Sequence, residues 1–202
     1  MSKRSTDWPL LISIAATVIS LIGLVFGYQA NELAKAQYKQ DRMLVLKGMF
    51  SETDNTSIKV QAISDNAHFQ RGVLFFPPSI HQKEVPIDSN GKFWHMGLVT
   101  GELEDFFLDV VKPEEGIMKI SNGDIPIIIK SYYVSNGIAY TDESLYLLGM
   151  QVTLNDKEYS RPEIRYNSLS FVERNEDNGI NQNVLDSMIE SKSGIYIPAR
   201  TP

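Results

Sequence analysis

The sequence has no cysteine and only three histidines, His68, His81 and His95. Without thiols there is no disulfide, no thiolate nucleophile and no cysteine-held zinc or iron–sulfur site. No two histidines lie within four residues of each other, which removes the helical HExxH zinc arrangement. The G-x-S-x-G, Walker A, G-x-G-x-x-G and zinc-deaminase motifs are all missing. The segment Asn175–Gly179 resembles a calcium loop. With Gly179 at position six, however, Arg174 falls at position one and Leu185 at position twelve, and neither supplies a ligand oxygen. It reads as a polar turn. No catalytic residue, cofactor or metal is expected, and the chain is not read as an enzyme.

Charge is also missing from one long stretch. Trp8 to Asn31 carries none, although the 202-residue chain holds 19 Lys/Arg and 25 Asp/Glu. The apolar centre, Leu10 to Tyr28, spans roughly 28 Å as a helix, close to the hydrocarbon thickness of a bilayer. Its Leu, Ile, Val and Phe residues favour insertion by about 3 to 7 kcal/mol in sum. Trp8 and Tyr28 flank it, where amphipathic rings favour the interface. A cleaved leader fits poorly, because the exit Gly27-Tyr28-Gln29-Ala30 puts a bulky ring where a small residue is needed. The reading is a retained single transmembrane helix over 10–28, after a short tail at 1–9. Lys35, Lys39, Arg42 and Lys47 follow the span and only Lys3 and Arg4 precede it. This places the C-terminal domain in the cytoplasm.

Within the span, Ser13, Ala16, Ser20, Gly23, Gly27, Ala30 and Ala34 recur at alternating spacings of three and four. They form a heptad stripe on one helix face. Between apolar helices in lipid, close approach of small-residue faces supplies the association, so the stripe marks an oligomer-facing or pore-facing side. Two arrangements follow: a dimer with the stripe as packing seam, or a ring of four or more with Ser13, Thr17 and Ser20 toward a narrow pore. No charged ring lies inside the span, so such a pore would be weakly selective or gated by dewetting. The helix is expected to continue as a juxtamembrane stalk over 29–49, ending near Gly48.

Residues 51–202 carry 13 Lys/Arg against 22 Asp/Glu, and the first 50 carry 6 against 3. The soluble domain, 50–202, is thus acidic and only the stalk is basic. An acidic domain is a poor general binder of nucleic acid or anionic lipid. Its patterning is mainly β, a sandwich or open barrel with one or two short helices. Strand patterns cover Ser57–Ile63, Gly72–Phe76, Lys92–Thr100, Gly116–Ile120, Ile125–Val134, Ile138–Tyr140, Tyr146–Leu154 and Ile164–Val172. Asn136-Gly137 marks one hairpin, and Asn155–Tyr159 suggests a second. Gly101–Val111 has helical spacing, and Asn183–Ser191 reads as a short helix. The acids Glu102, Glu104, Asp105 and Asp109 read as a solvated helix face. Tyr132, Tyr133, Tyr140 and Tyr146 cluster in one β region and are core aromatics or, alternatively, a stacking platform for a base. Arg71, Arg161 and Arg165 are the first cations to consider for a phosphate ligand, and His95, on an expected strand, is a core or edge histidine or, alternatively, a ligand contact.

Two functions compete: a membrane effector gated by its soluble domain, and a tethered binding or scaffold protein. One short span with a small-residue face, a basic stalk and a compact cytosolic domain resembles the small single-span effectors of bacterial anti-phage defence, of the Hailong channel type. The resemblance is architectural and carries no residue across. It implies a homo-oligomeric ion channel, the tetramer among its forms, in the inner membrane of a bacterium. It also implies a partner nucleotidyltransferase whose nucleotide or oligonucleotide signal binds the soluble domain.

Overall fold

The computed structural model describes residues 8–110, 117–155, 160–175 and 180–191. The chain forms two units, 1–43 and 44–202.

In the first unit, α1 runs unbroken from Trp8 to Gln40. Its 33 residues rise about 50 Å. Trp8–Tyr38 is long and apolar enough to cross a membrane, and none of its apolar window is buried within the protein. The hydroxyls of Thr17 and Ser20 donate to the carbonyls of Ser13 and Ala16, at 2.9 and 2.8 Å. These bonds satisfy two of the hydroxyls inside the apolar stretch, where an unmet donor would be costly. In the exposed stalk Glu32 pairs with Lys35 at 2.9 Å, and the Arg42 guanidinium lies over the Tyr38 ring.

The helix ends at Gln40 and not near Gly48, so the stalk is shorter than its composition suggests. A turn at Asp41-Arg42 leads into extended chain. Leu44 and Leu46 alternate into the core of the second unit, and Leu46–Phe50 is strand β1. Burial of that alternating pair outweighs the helix preference of the local sequence.

The second unit is mainly β with two short helices. Strands β1 and β2 (Ile58–Ala62) form an antiparallel pair. Five antiparallel strands follow in the order β4-β3-β5-β6-β7: β3 is Ala67–Phe75, β4 Val85–Ile87, β5 Lys119–Ser135, β6 Ile138–Leu154 and β7 Glu163–Arg174. The segment 91–93 joins the two sheets. Val60 N–H donates to Gly91 O and Phe93 N–H to Ile58 O, while Ile87 bridges Phe93. The result is an open barrel, running from β1 through β2 and the connecting segment to β7.

The separate strand patterns at Gly116–Ile120 and Ile125–Val134 are one strand, as are those at Ile138–Tyr140 and Tyr146–Leu154. Together β5 and β6 make a long hairpin around Asn136-Gly137, both at positive φ as a tight two-residue turn requires. Pro126 is tolerated in β5 because the ladder to β3 starts only at Ile128, leaving β6 as its sole strand neighbour there. The inner face of the sheet carries Ile125, Ile127, Ile129, Leu148, Met150 and Tyr166, packed on Ile58, Val60 and Phe93. The segment 125–129 is apolar on both faces because Ile128 and Leu145 meet Leu185 of α3 (Gln182–Ser191) on the other side. Asn181 caps that helix by accepting from the N–H groups of Asn183 and Val184.

Lys92–Thr100 is not a strand. Only Lys92 and Phe93 bridge. His95 then takes φ 56, which breaks extended chain, and α2 runs from Met96 to Val110. The set Met96, Val99, Leu103 and Phe107 is buried at helical spacing, and this longer pattern prevails over the short alternation. Most of the suggested hairpin at Asn155–Tyr159 and of the turn at Asn175–Gly179 lies outside the described residues.

Candidate functional site

The face of α1 bearing Ser13, Ala16, Ser20, Gly23, Gly27, Ala30 and Ala34 is exposed throughout. A Cβ added at Gly23 or Gly27 would meet nothing within 4 Å. Within one chain these two glycines therefore fill no packing need.

In the second unit the candidate ligand residues do not converge. Arg71 and Tyr132 are cross-strand partners on β3 and β5, with the guanidinium 5.5 Å from the ring centroid and both groups exposed. Tyr133, one residue on, points to the opposite face and is buried. It stacks on Tyr140 at 5.6 Å. The tyrosine group is thus split between the two faces of the sheet, as strand alternation requires. Arg161 donates to Glu104 and Asp105 of α2, at 3.2 and 3.0 Å. Arg165 is exposed on β7 opposite Gln151. His95 is exposed at the start of α2, against Trp94. Among the described residues, Arg71–Tyr132 and Tyr133–Tyr140 are brought together as pairs.

Three of the four acids of α2, Glu102, Glu104 and Asp105, meet side-chain partners, and Asp109 is exposed. Besides the Arg161 pairs, Glu102 Oε2 lies 2.6 Å from Nδ1 of the buried His81. No group of three or more metal-ligating side chains exists among the described residues. A polar hollow of about 340 Å³ is lined by Gln61, Ser64, Asp65, His68, Ser89 and Asn90. None of the candidate cations lines it.

One buried polar arrangement among the described residues was not legible in the sequence. It surrounds the first residues of the second unit. Arg174 of β7 forms an ion pair with the buried Asp142 of β6, whose other oxygen accepts from Ser144 at 2.7 Å. The same guanidinium donates to Leu44 O at 2.9 Å. The Tyr133 hydroxyl is hydrogen-bonded to the Leu44 backbone, and Tyr146 accepts from Leu46 N–H at 3.1 Å. Arg174 and Leu44 are 130 positions apart, so no local spacing could reveal their meeting.

Burial pushes the phenols of this region up. Tyr146 rises to about 12, chiefly by desolvation. Tyr133 rises for the same reason, opposed by the nearby Arg174 charge. Tyr166, buried beside Thr100, is raised further. Below pH 10 these rings are neutral in both folded and unfolded chains and cost nothing. As pH climbs from 10 to 12 the unfolded chain loses the Tyr146 proton and the folded chain keeps it, so stability falls across that window. Absorbance titration near 295 nm is expected to show phenolate from these buried rings only together with loss of near-UV circular dichroism. Full ionisation with the fold intact would contradict their burial.

No known protein family, curated protein or solved structure matches the chain.

Proposed function

We propose that the chain is a homo-oligomeric, single-pass membrane effector in which the β-rich domain gates an ion-permeable assembly of N-terminal helices. The observation that supports this most directly is the open small-residue face of an unbroken apolar helix. Gly23 and Gly27 have no neighbour within their own chain, and glycine costs a helix about 1 kcal/mol relative to alanine. A second helix lying against that face gives the cost a purpose. The Ser20 hydroxyl on that face is already bonded to Ala16 O, so it brings no unmet donor to the packing.

The basic residues that follow the span favour a cytoplasmic domain at the inner membrane of a bacterium. A nucleotide or oligonucleotide signal from a partner nucleotidyltransferase fits the layout of an anti-phage effector. The acidic domain would need a local cationic site for it, and Arg71 with its exposed neighbour Tyr132 is the first to test. The competing reading is a tether with no conductance.

The chain's lack of cysteine makes single-cysteine probes clean. Ser20→Cys is expected to crosslink in membranes at several times the yield of Leu21→Cys, which lies about 100° around the helix. Expression of the unlabelled protein is expected to depolarise cells. Equal crosslinking yields would remove the seam. Efficient crosslinking without depolarisation, in cells that also make the signal, would leave the tether.

A further inference from the structure

The barrel has one place where no backbone ladder closes it. Among the described residues β7 has β6 as its only strand neighbour, and β1 has only β2. Yet the two approach closely: a Cβ on Gly48 of β1 would come within 2.8 Å of Leu169 Cβ on β7. Side chains close this seam. Arg174 reaches Leu44 O, Tyr133 binds the Leu44 backbone and Tyr146 takes the Leu46 N–H. Val45 O accepts from Ile63 N–H, so residues 44–46 are held on both sides.

The location gives the seam its meaning. Leu44 opens the second unit, and only Asp41, Arg42 and Met43 separate it from the last residue of α1. The fastening groups come from three neighbouring strands, β5, β6 and β7. Arg174 and Asp142 are largely buried, so their bonds act in a low-dielectric setting and resist thermal fraying. A ladder of backbone bonds would open only with the sheet. The side-chain bonds to Leu44 and Leu46, about 1 to 3 kcal/mol net each, can open alone while Arg174 keeps its pair with Asp142.

We propose that the β1–β7 seam is a latch. It fastens residues 44–46, the first of the second unit, to β5, β6 and β7 while closed, and it opens locally, releasing them from those strands while Val45 and Leu46 stay paired with the β2 side. A strand shift that moves Arg174 off Leu44 O would lengthen the free connector behind α1 by about one residue, roughly 3 Å when extended, since Val45 remains bonded to Ile63. The role as a coupling element rests on the gating function proposed above. The latch itself can be tested separately.

Full-length protein in detergent would be compared with Arg174→Met and Tyr146→Phe by amide hydrogen exchange. Arg174→Met is expected to speed exchange at 44–46 at least tenfold, with Ile129 and Leu148 unchanged. Tyr146→Phe introduces no stranded charge and is expected to speed Leu46 in the same way. Unchanged exchange at 44–46, or an equal rise across β5 and β6, overturns the latch. Conductance of the same variants in vesicles separates the two ideas. If wild-type protein conducts and Arg174→Met conducts identically under all conditions, the seam is not a coupling element and the latch falls while gating stands. If wild-type protein never conducts, gating falls and the exchange data alone decide the latch.

Discussion

Gly27→Leu is expected to turn the membrane-embedded oligomer into monomer and to abolish conductance. The new side chain meets nothing within its own chain, since no atom lies within 4 Å of a Cβ placed there. Leucine is also a better helix former than glycine and more favourable in lipid. The substitution should therefore stabilise the helix and leave insertion intact. Any loss must come from a second copy that needs the backbone to approach closely. We expect at least a tenfold drop in association, equivalent to about 1.4 kcal/mol, read by dilution of labelled protein in detergent or bicelles. Val25 lies on the opposite side of the helix by its 100° steps and is exposed in the same way. Val25→Leu is the matched control and should associate as wild type. Equal behaviour of the two variants would remove the small-residue face from the account. It would also take the conductance proposal with it.

Gly91→Ala is expected to be among the most damaging single changes in the β domain. Gly91 holds φ +76, and its added Cβ would run into the carbonyl oxygen of Val60. The left-handed backbone costs about 1 kcal/mol for alanine. The clash adds more, because Val60 N–H donates to Gly91 O at 2.8 Å and this bond joins the two sheets. The turn cannot shift freely. Asp88 Oδ1 accepts from the N–H groups of Asn90 and Lys92 at 2.8 and 2.9 Å, and Oδ2 accepts from the Trp94 indole. The Lys92 N–H, with those other donors, holds the Asp88 carboxyl below its usual range. We expect a loss of about 3 kcal/mol or more, a large share of the 5–15 kcal/mol typical of a domain. For a unit of this size that is about a 6–12 °C fall in Tm. Gly137 has nearly the same φ, +77, and open space around it. Gly137→Ala should therefore lose only the backbone term, about 1 kcal/mol. Similar melting shifts for the two would mean that the Val60 contact relaxes.

Features set by short-range rules are legible in the order of residues. The apolar helix needs only one residue type after another at 1.5 Å intervals, so its existence and small-residue face follow from spacing. The Asn136-Gly137 turn, the β-rich class and the α3 helix are likewise local, set by positive φ and by hydrophobic period. Boundaries failed where two local signals competed. Leu44 and Leu46 sit in helix-forming company, yet the core claims them as extended chain. The residues after Lys92 alternate briefly like a strand, yet the helical burial pattern from Met96 to Phe107 displaces it.

Side-chain chemistry in the domain was hidden for a different reason. Adjacent tyrosines in β5 look like one cluster in sequence, but a pleated strand sends Tyr132 and Tyr133 to opposite faces. Arg161 looks free until α2 folds across to offer Glu104 and Asp105. Arg174 looks like part of a polar turn until the barrel brings it to Leu44.

Sequence alone thus determined that the chain carries a helix able to cross a membrane, a basic segment after it and an acidic β domain. Those properties depend on composition and on short hydrophobic periods. Only the tertiary structure decided where the helix stops, which cations are already paired and how the barrel is closed beside Leu44. Each of those depends on groups far apart in sequence meeting in a buried place, where the cost of leaving a charge or an N–H unmatched selects one arrangement.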